Sequence, residues 1–169
     1  INTIKKTPVE TSSIYDLASV TKTFATTMML MQLHEQGLLD LTKTVADYLP
    51  DTKGSNIAGL KLQDILTHQS GLPAWVPFYK KTLLADGTQD PGYYSQTKIA
   101  GYTTQVADNV YMRDDYRDTV WQIIKDINLK EKNKYVYSDL GLYISRRIAE
   151  QLTGKRLDNY VYDNFYNSL

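Results

Sequence analysis

Apolar positions recur with a helical period in two long stretches of this chain and lose that period in a third. After Ser19, the residues Val20, Phe24, Met28, Met29, Leu30, Met31 and Leu33 are apolar on nearly every side of a helix, and Glu35-Gln36-Gly37 closes the run with a glycine suited to a left-handed cap. The pattern predicts a buried helix of about five turns near residues 17–36. Leu142, Tyr143, Ile144, Ile148, Ala149 and Leu152 follow the same period and Thr153-Gly154 ends it, which predicts a helix over 140–153. Shorter helices are expected near 61–68 and 118–127, with little strand anywhere in the chain. From about Ala85 to Asp118 the composition shifts to Tyr, Gly, Asp, Gln and Thr without period, so 85–118 reads as a Tyr-rich insertion packed by its own aromatics. Trp75, Pro77, Phe78 and Tyr79, just ahead of it, read as a packed loop rather than a binding site.

Composition narrows the class. At 169 residues, 42% hydrophobic and 22% charged, the chain can bury a core and amounts to one domain or less. Lys plus Arg and Asp plus Glu balance at 19 each, which argues against nucleic acid as a partner and against a charged membrane surface. The absence of cysteine excludes disulfides and thiol chemistry. The Phe24–Leu33 run is too short to span a bilayer. His34 and His68 have no second ligand at metal spacing, and no glycine-rich phosphate loop is present, so no metal, nucleotide or other cofactor is expected.

The chemistry lies at the start of the first helix. Ser19 and Lys22, in Ala-Ser-Val-Thr-Lys, stand at i and i+3, so hydroxyl and amine share a helix face and the lysine can take the serine proton. A free lysine has a pKa near ~10.4, so burial beside the positive end of the helix has to lower it for the pair to work at neutral pH. The alternative is that Ser19 caps the helix and Lys22 is a solvated charge. Ser95-Gln96-Thr97-Lys98 repeats the spacing, but in a Gly- and Tyr-rich stretch with no helix to hold it. A second constellation, Tyr135-Val-Tyr137-Ser138-Asp139-Leu-Gly141, falls in the turn ahead of the 140–153 helix, where it can aim polar side chains into a cleft or simply cap the helix.

Together the two sites resemble the penicillin-recognising serine hydrolases: class C β-lactamases, D-alanyl-D-alanine peptidases and related esterases. Tyr15-Asp-Leu-Ala-Ser-Val-Thr-Lys22, Gly37-Leu-Leu-Asp-Leu41, Val45-Ala-Asp-Tyr-Leu-Pro50 and Leu62-Gln-Asp-Ile-Leu-Thr-His-Gln-Ser-Gly-Leu-Pro73 follow that family's order over 13–79 and 118–169. The similarity extends to Bacteroidetes-type β-lactamase-like domains, some of them fused to glycoside hydrolases. The resemblance implies an α/β (α+β) β-lactamase/transpeptidase-like fold, of which residues 1–169 form mainly the helical part. The N-terminal strands, most of the antiparallel sheet and the Lys-Thr-Gly or His-x-Gly third motif are then expected outside the chain.

The resemblance also implies roles. Ser19 is the acylated nucleophile, Lys22 its proton acceptor and Tyr137 the second base, with the Ser19 backbone N–H as an oxyanion-hole donor. Asp139 stands where the pattern usually has asparagine, a substrate-binding position. A carboxylate only accepts hydrogen bonds, so Asp139 is expected to pair with Lys22 rather than donate to a substrate carbonyl. Matching Ser138-Asp139 to the Ser-Asp-Asn form would put Leu140 where an amide is needed, which favours Tyr137. The implied activity is hydrolysis of amide or ester bonds in a small-molecule or peptide substrate (a β-lactam, a peptidoglycan peptide or an ester), in the periplasm or cell envelope. A fused glycoside hydrolase is the implied partner domain. The competing reading is a catalytically silent binding domain that recognises peptidoglycan or serves such a glycosidase.

Overall fold

In the computed structural model, which describes residues 8–168, α5 (Leu140–Thr153) is the axis of the helical core. Its buried stripe of Leu140, Ile144, Ile148 and Ala149 packs against α1 (Met28–Glu35), α2 (Val45–Tyr48), α3 (Leu62–Leu66) and α6 (Leu157–Val161). Met29, Leu30 and Leu33 enter this core from α1, Val45 and Tyr48 from α2, and Leu62 and Ile65 from α3. Trp121 and Ile124 of α4 (Tyr116–Lys125) close it. The first turn of α5 approaches α3 closely because position 141 is glycine: a Cβ there would lie 2.9 Å from Ile65 Cγ2.

The first long helix differs from its expectation in two ways. Its opening segment, Lys22–Thr27, is π-helical, and the α-helix proper runs from Met28 to Glu35. The helix is also not buried all round: Val20, Phe24 and Met31 are 48%, 52% and 63% exposed. An apolar wheel signals a capacity for burial, and only the Met29-Leu30-Leu33 side of this one is covered by the chain itself. Its end is as expected, with Gly37 at φ +72 and the Leu38 N–H donating 2.9 Å to the Leu33 carbonyl.

Two loops are laced together over the end of α3. Lys130, Asn133, Val136 and Asp139 donate backbone hydrogen bonds of 2.7–3.0 Å to the carbonyls of Gly71, Gln69, His68 and Ala74. Gly71 is obligatory here, because its φ is +83 and a Cβ would sit 2.5 Å from the Lys130 carbonyl oxygen. The lacing delivers Tyr137 and Asp139 to the same edge of the molecule as Ser19.

The Tyr-rich segment holds a small three-stranded antiparallel sheet in the order β1 (Tyr94–Ser95), β3 (Val110–Met112), β2 (Thr104–Ala107). Its aromatics tie it to the body of the molecule. Tyr94 shares a 2.8 Å hydrogen bond with Thr82, the Tyr116 hydroxyl donates 2.6 Å to the Phe78 carbonyl, and the Tyr93 and Tyr116 rings meet edge-on at 5.1 Å. Residues 1–7 and Leu169 lie outside the described residues.

Candidate active site

Ser19 sits in the turn that leads into the first helix, behind an Ala18 whose backbone is held at φ +44. That conformation disfavours a residue with a Cβ, and it is supported by the Asp16 carboxylate, which accepts a 2.8 Å hydrogen bond from the Ala18 N–H. The turn continues with the Lys22 N–H donating 3.0 Å to the Ser19 carbonyl. The i, i+3 spacing then brings the side chains together, and the Lys22 ammonium donates to Ser19 Oγ at 2.8 Å.

On the opposite side, the 137–139 turn alternates its side chains. Ser138 faces inward at 2% exposure, donating 2.6 Å to the Pro73 carbonyl and accepting 3.2 Å from the Leu140 N–H. Its hydroxyl is therefore the one that caps α5, and it does not face the cleft. Tyr137 and Asp139 point the other way. Asp139 Oδ1 lies 2.8 Å from Lys22 Nζ, and that ammonium stands 5.4 Å from the centroid of the Tyr137 ring. Asp139 occupies the N-cap position of α5 but makes no side-chain cap bond.

Electrostatics sets the proton inventory. Burial lowers the Lys22 pKa, but hydrogen bonding and charge from Asp139 and Tyr137 outweigh it, and the net shift is upward. The depression that a lysine base needs is thus absent, and the carboxylate at position 139 is the first cause, with Tyr137 after it. The Tyr137 phenol moves the opposite way: its contact with Ser19 and then with Lys22 lowers its pKa against the opposing effect of burial. Of the two groups beside Ser19, the tyrosine is the one whose deprotonation its neighbours favour.

His68 joins the site from behind, a position its sequence context did not reveal. Its backbone is at φ +59, its ring centroid lies 4.7 Å from that of Tyr137, and its Nδ1 accepts a 3.1 Å hydrogen bond from the Ser138 N–H. Burial, and then the Lys22 charge, lower its pKa against the pull of Asp139, so at neutral pH the ring is an uncharged support for Tyr137. The signal available in the sequence was His68 ahead of a Ser-Gly-Leu-Pro turn, which reads equally well as a structural histidine. The second match to the Ser19–Lys22 spacing, at Ser95 and Lys98, is engaged locally, since Ser95 Oγ donates 2.7 Å to the Thr97 carbonyl. His34 also serves structure, its Nδ1 lying 2.7 Å from the Leu39 carbonyl.

A serine is joined to a lysine at the mouth of a helix and faced by a tyrosine turn on a helical core. The particular family follows from comparison with known proteins: the chain belongs to the β-lactamase family, whose profile matches residues 2–169. It is 34% identical to the N-acetylmuramyl-L-alanine amidase of Bacillus subtilis, over 95% of this chain and 33% of the amidase. Among solved structures, the β-lactamase/D-alanine carboxypeptidase of Pseudomonas syringae superposes with a TM-score of 0.65 at 15% identity, over 98% of this chain and 38% of that one. The D-amino acid amidase of Ochrobactrum anthropi gives 0.61 at 19% identity, over 98% and 38%. The fold is therefore β-lactamase-like, and the chain spans about one third of the length of the curated relatives it matches.

Proposed function

We propose that this chain carries the nucleophile and the proton-transfer groups of a serine hydrolase that cleaves amide or ester bonds through an acyl-enzyme on Ser19. One observation carries the reading: Lys22 Nζ bridges Ser19 Oγ and Asp139 Oδ1, both at 2.8 Å, with Tyr137 beside it. In the first step the Ser19 hydroxyl passes its proton to the Tyr137 phenolate, held beside the Lys22 ammonium, as Oγ bonds to the substrate carbonyl carbon. The Ser19 backbone N–H supports the oxyanion. Collapse of the tetrahedral intermediate breaks the carbonyl–leaving-group bond, and the leaving amine or alcohol takes the proton back from Tyr137. Water then repeats the cycle on the ester and frees Ser19.

Lys22 enters this scheme as an ammonium that stabilises both a Ser19 alkoxide and a Tyr137 phenolate. The names of the relatives support a peptidoglycan peptide or a D-amino acid amide as the substrate class, and with it a site of action in the cell envelope. The Asp139–Lys22 pair supports a second reading, a silent binding domain, because a lysine held protonated cannot be the base.

Labelling of the full-length protein with a fluorophosphonate or a fluorescent penicillin separates the two. The expected result is covalent labelling that disappears in Ser19→Ala, falls at least ~100-fold in Lys22→Met and Tyr137→Phe, and is unchanged in Ser95→Ala. Labelling that survives Ser19→Ala would sink the assignment.

A further inference from the structure

α3 ends on an unusual residue. Thr67 is its C-cap, so His68 stands one position beyond, in the left-handed region at φ +59, where a glycine or an asparagine ordinarily closes a helix. That conformation disfavours any residue with a Cβ and persists only where surrounding contacts enforce it.

The enforcing contacts lead to Tyr137. The His68 N–H donates 3.1 Å to the Ile65 carbonyl at the end of α3, and the His68 carbonyl accepts 2.9 Å from the Val136 N–H. Its ring takes the next alternate N–H along that segment, with Nδ1 accepting 3.1 Å from Ser138. One residue thus holds the backbone on either side of Tyr137. The phenol ring lies against the imidazole as well, with centroids 4.7 Å apart and a tilt of 46°, while Tyr135 meets the imidazole edge-on at 5.8 Å. Tyr137 is 45% exposed, so covering from the solvent side does not hold it.

The hold requires one protonation state. Nδ1 accepts from an N–H only while its lone pair is free, which puts the proton of the neutral ring on Nε2. A proton on Nδ1 turns the acceptor into a donor that faces another donor. The charged groups that face the ring are Lys22 from the first helix and Asp139 from the turn, with the phenols of Tyr135 and Tyr137 beside it. Burial and then Lys22 keep the His68 pKa below its ordinary 6.5 against the pull of Asp139, so the acceptor form prevails at neutral pH.

We propose that His68 is the positioning residue for Tyr137: its neutral imidazole holds the 136–138 backbone so that the phenol meets Ser19 and Lys22, and protonation of the ring releases that hold. His68 itself exchanges no proton with the substrate and acts through Tyr137. The kinetic consequence rests on the acyl-enzyme reading, and a second consequence exists in the resting protein.

Two substitutions separate the hydrogen bond from the ring. His68→Asn places Oδ1 near the position of Nδ1 and tolerates a left-handed backbone, whereas His68→Phe keeps a ring and removes the acceptor. In the full-length protein, acylation of Ser19 by a fluorophosphonate should fall about 10- to 100-fold in His68→Phe, the effect of a displaced catalytic group, and His68→Asn should recover most of that loss. The reverse order would reduce His68 to packing, and equal rates in the two variants would overturn the proposal as well. Below the His68 pKa, wild-type acylation should steepen from first to second order in protons as His68 joins Tyr137 in taking one up; His68→Asn should stay first order, and the same order in both proteins would refute the release. NMR of the full-length wild-type protein needs neither variant nor catalysis. The Ser138 amide and Tyr137 ring signals should titrate together with the His68 ring, and a Ser138 amide that ignores that titration would overturn the proposal whether or not Ser19 acylates. Coupled titration without any Ser19 labelling would sink the acyl-enzyme reading and leave the hold on Tyr137 standing.

Discussion

Asp139 is the residue on which the chemistry of this site turns. Its carboxylate holds Lys22 as an ammonium and so sets the pH at which the pair can give up a proton. The acidic limb of kcat/KM reports the groups that must be deprotonated for acylation. Asp139→Asn removes a charge that opposes ionisation of Tyr137, so that limb should move to lower pH, and an amide restores a donor for a substrate carbonyl. A pH–rate profile in which neither the limb nor β-lactam acylation changes would restrict Asp139 to a structural part. The same pair has a stability signature. The folded-state pKa of Lys22 lies above its ordinary value of 10.5, so its contribution is fully present below that pH and is lost as pH rises through the folded value. Wild-type chemical denaturation should weaken over that alkaline window, and Asp139→Asn should flatten the loss. Ala18 carries the local strain: Ala18→Gly at φ +44 is expected to raise stability by up to about 1 kcal/mol in the same assay, and a loss would show that the turn is unstrained.

Among the elements, the paired loops at 68–74 and 130–139 matter most, because they present Tyr137 and Asp139 without belonging to a helix or strand. Gly71→Ala forces either a strained φ or a shift of the Lys130 backbone and should cost about 2–4 kcal/mol. Its midpoint in urea should fall, and the Tyr137-dependent steps should slow even where the protein remains folded; an unchanged midpoint would mean that the lacing is loose. Legibility divides along the same lines. α5 was readable to the residue, since Leu140, Ile144 and Ile148 bury one stripe and Gly154, at φ +67, stops it. The proximity of Ser19 to Lys22 was readable because a three-residue step around one turn fixes their distance. β1, β2 and β3 were not, because strands of two to four residues are too short to show an alternation. His68 was hidden because its approach to Tyr137 depends on hydrogen bonds between segments far apart in the chain.

At the scale of the whole molecule, Leu33 and Phe24 look alike in the sequence pattern and differ in the fold. Leu33 is completely buried against α5, and Leu33→Ala should cost about 2–5 kcal/mol; Phe24 is half exposed, and Phe24→Ala should stay within about 0.5 kcal/mol. Comparable losses in thermal unfolding would mean that the bare side of the first helix is covered in solution. The π-helical turn at Lys22–Thr27 lies between these two duties of the helix, with the Ser19–Lys22 pair on one side and the core contacts Met29, Leu30 and Leu33 on the other. A π turn holds one residue more than the α-helix it interrupts. Removing Thr23 would take out that extra residue and leave nucleophile and core in phase, whereas one more residue accommodated as regular α-helix would rotate nucleophile against core by about 100°. A variant with one residue inserted after Thr23 should fold around the same core and fail to acylate, so the length between Ser19 and Met29 acts as a phase setting, whatever side chains fill it.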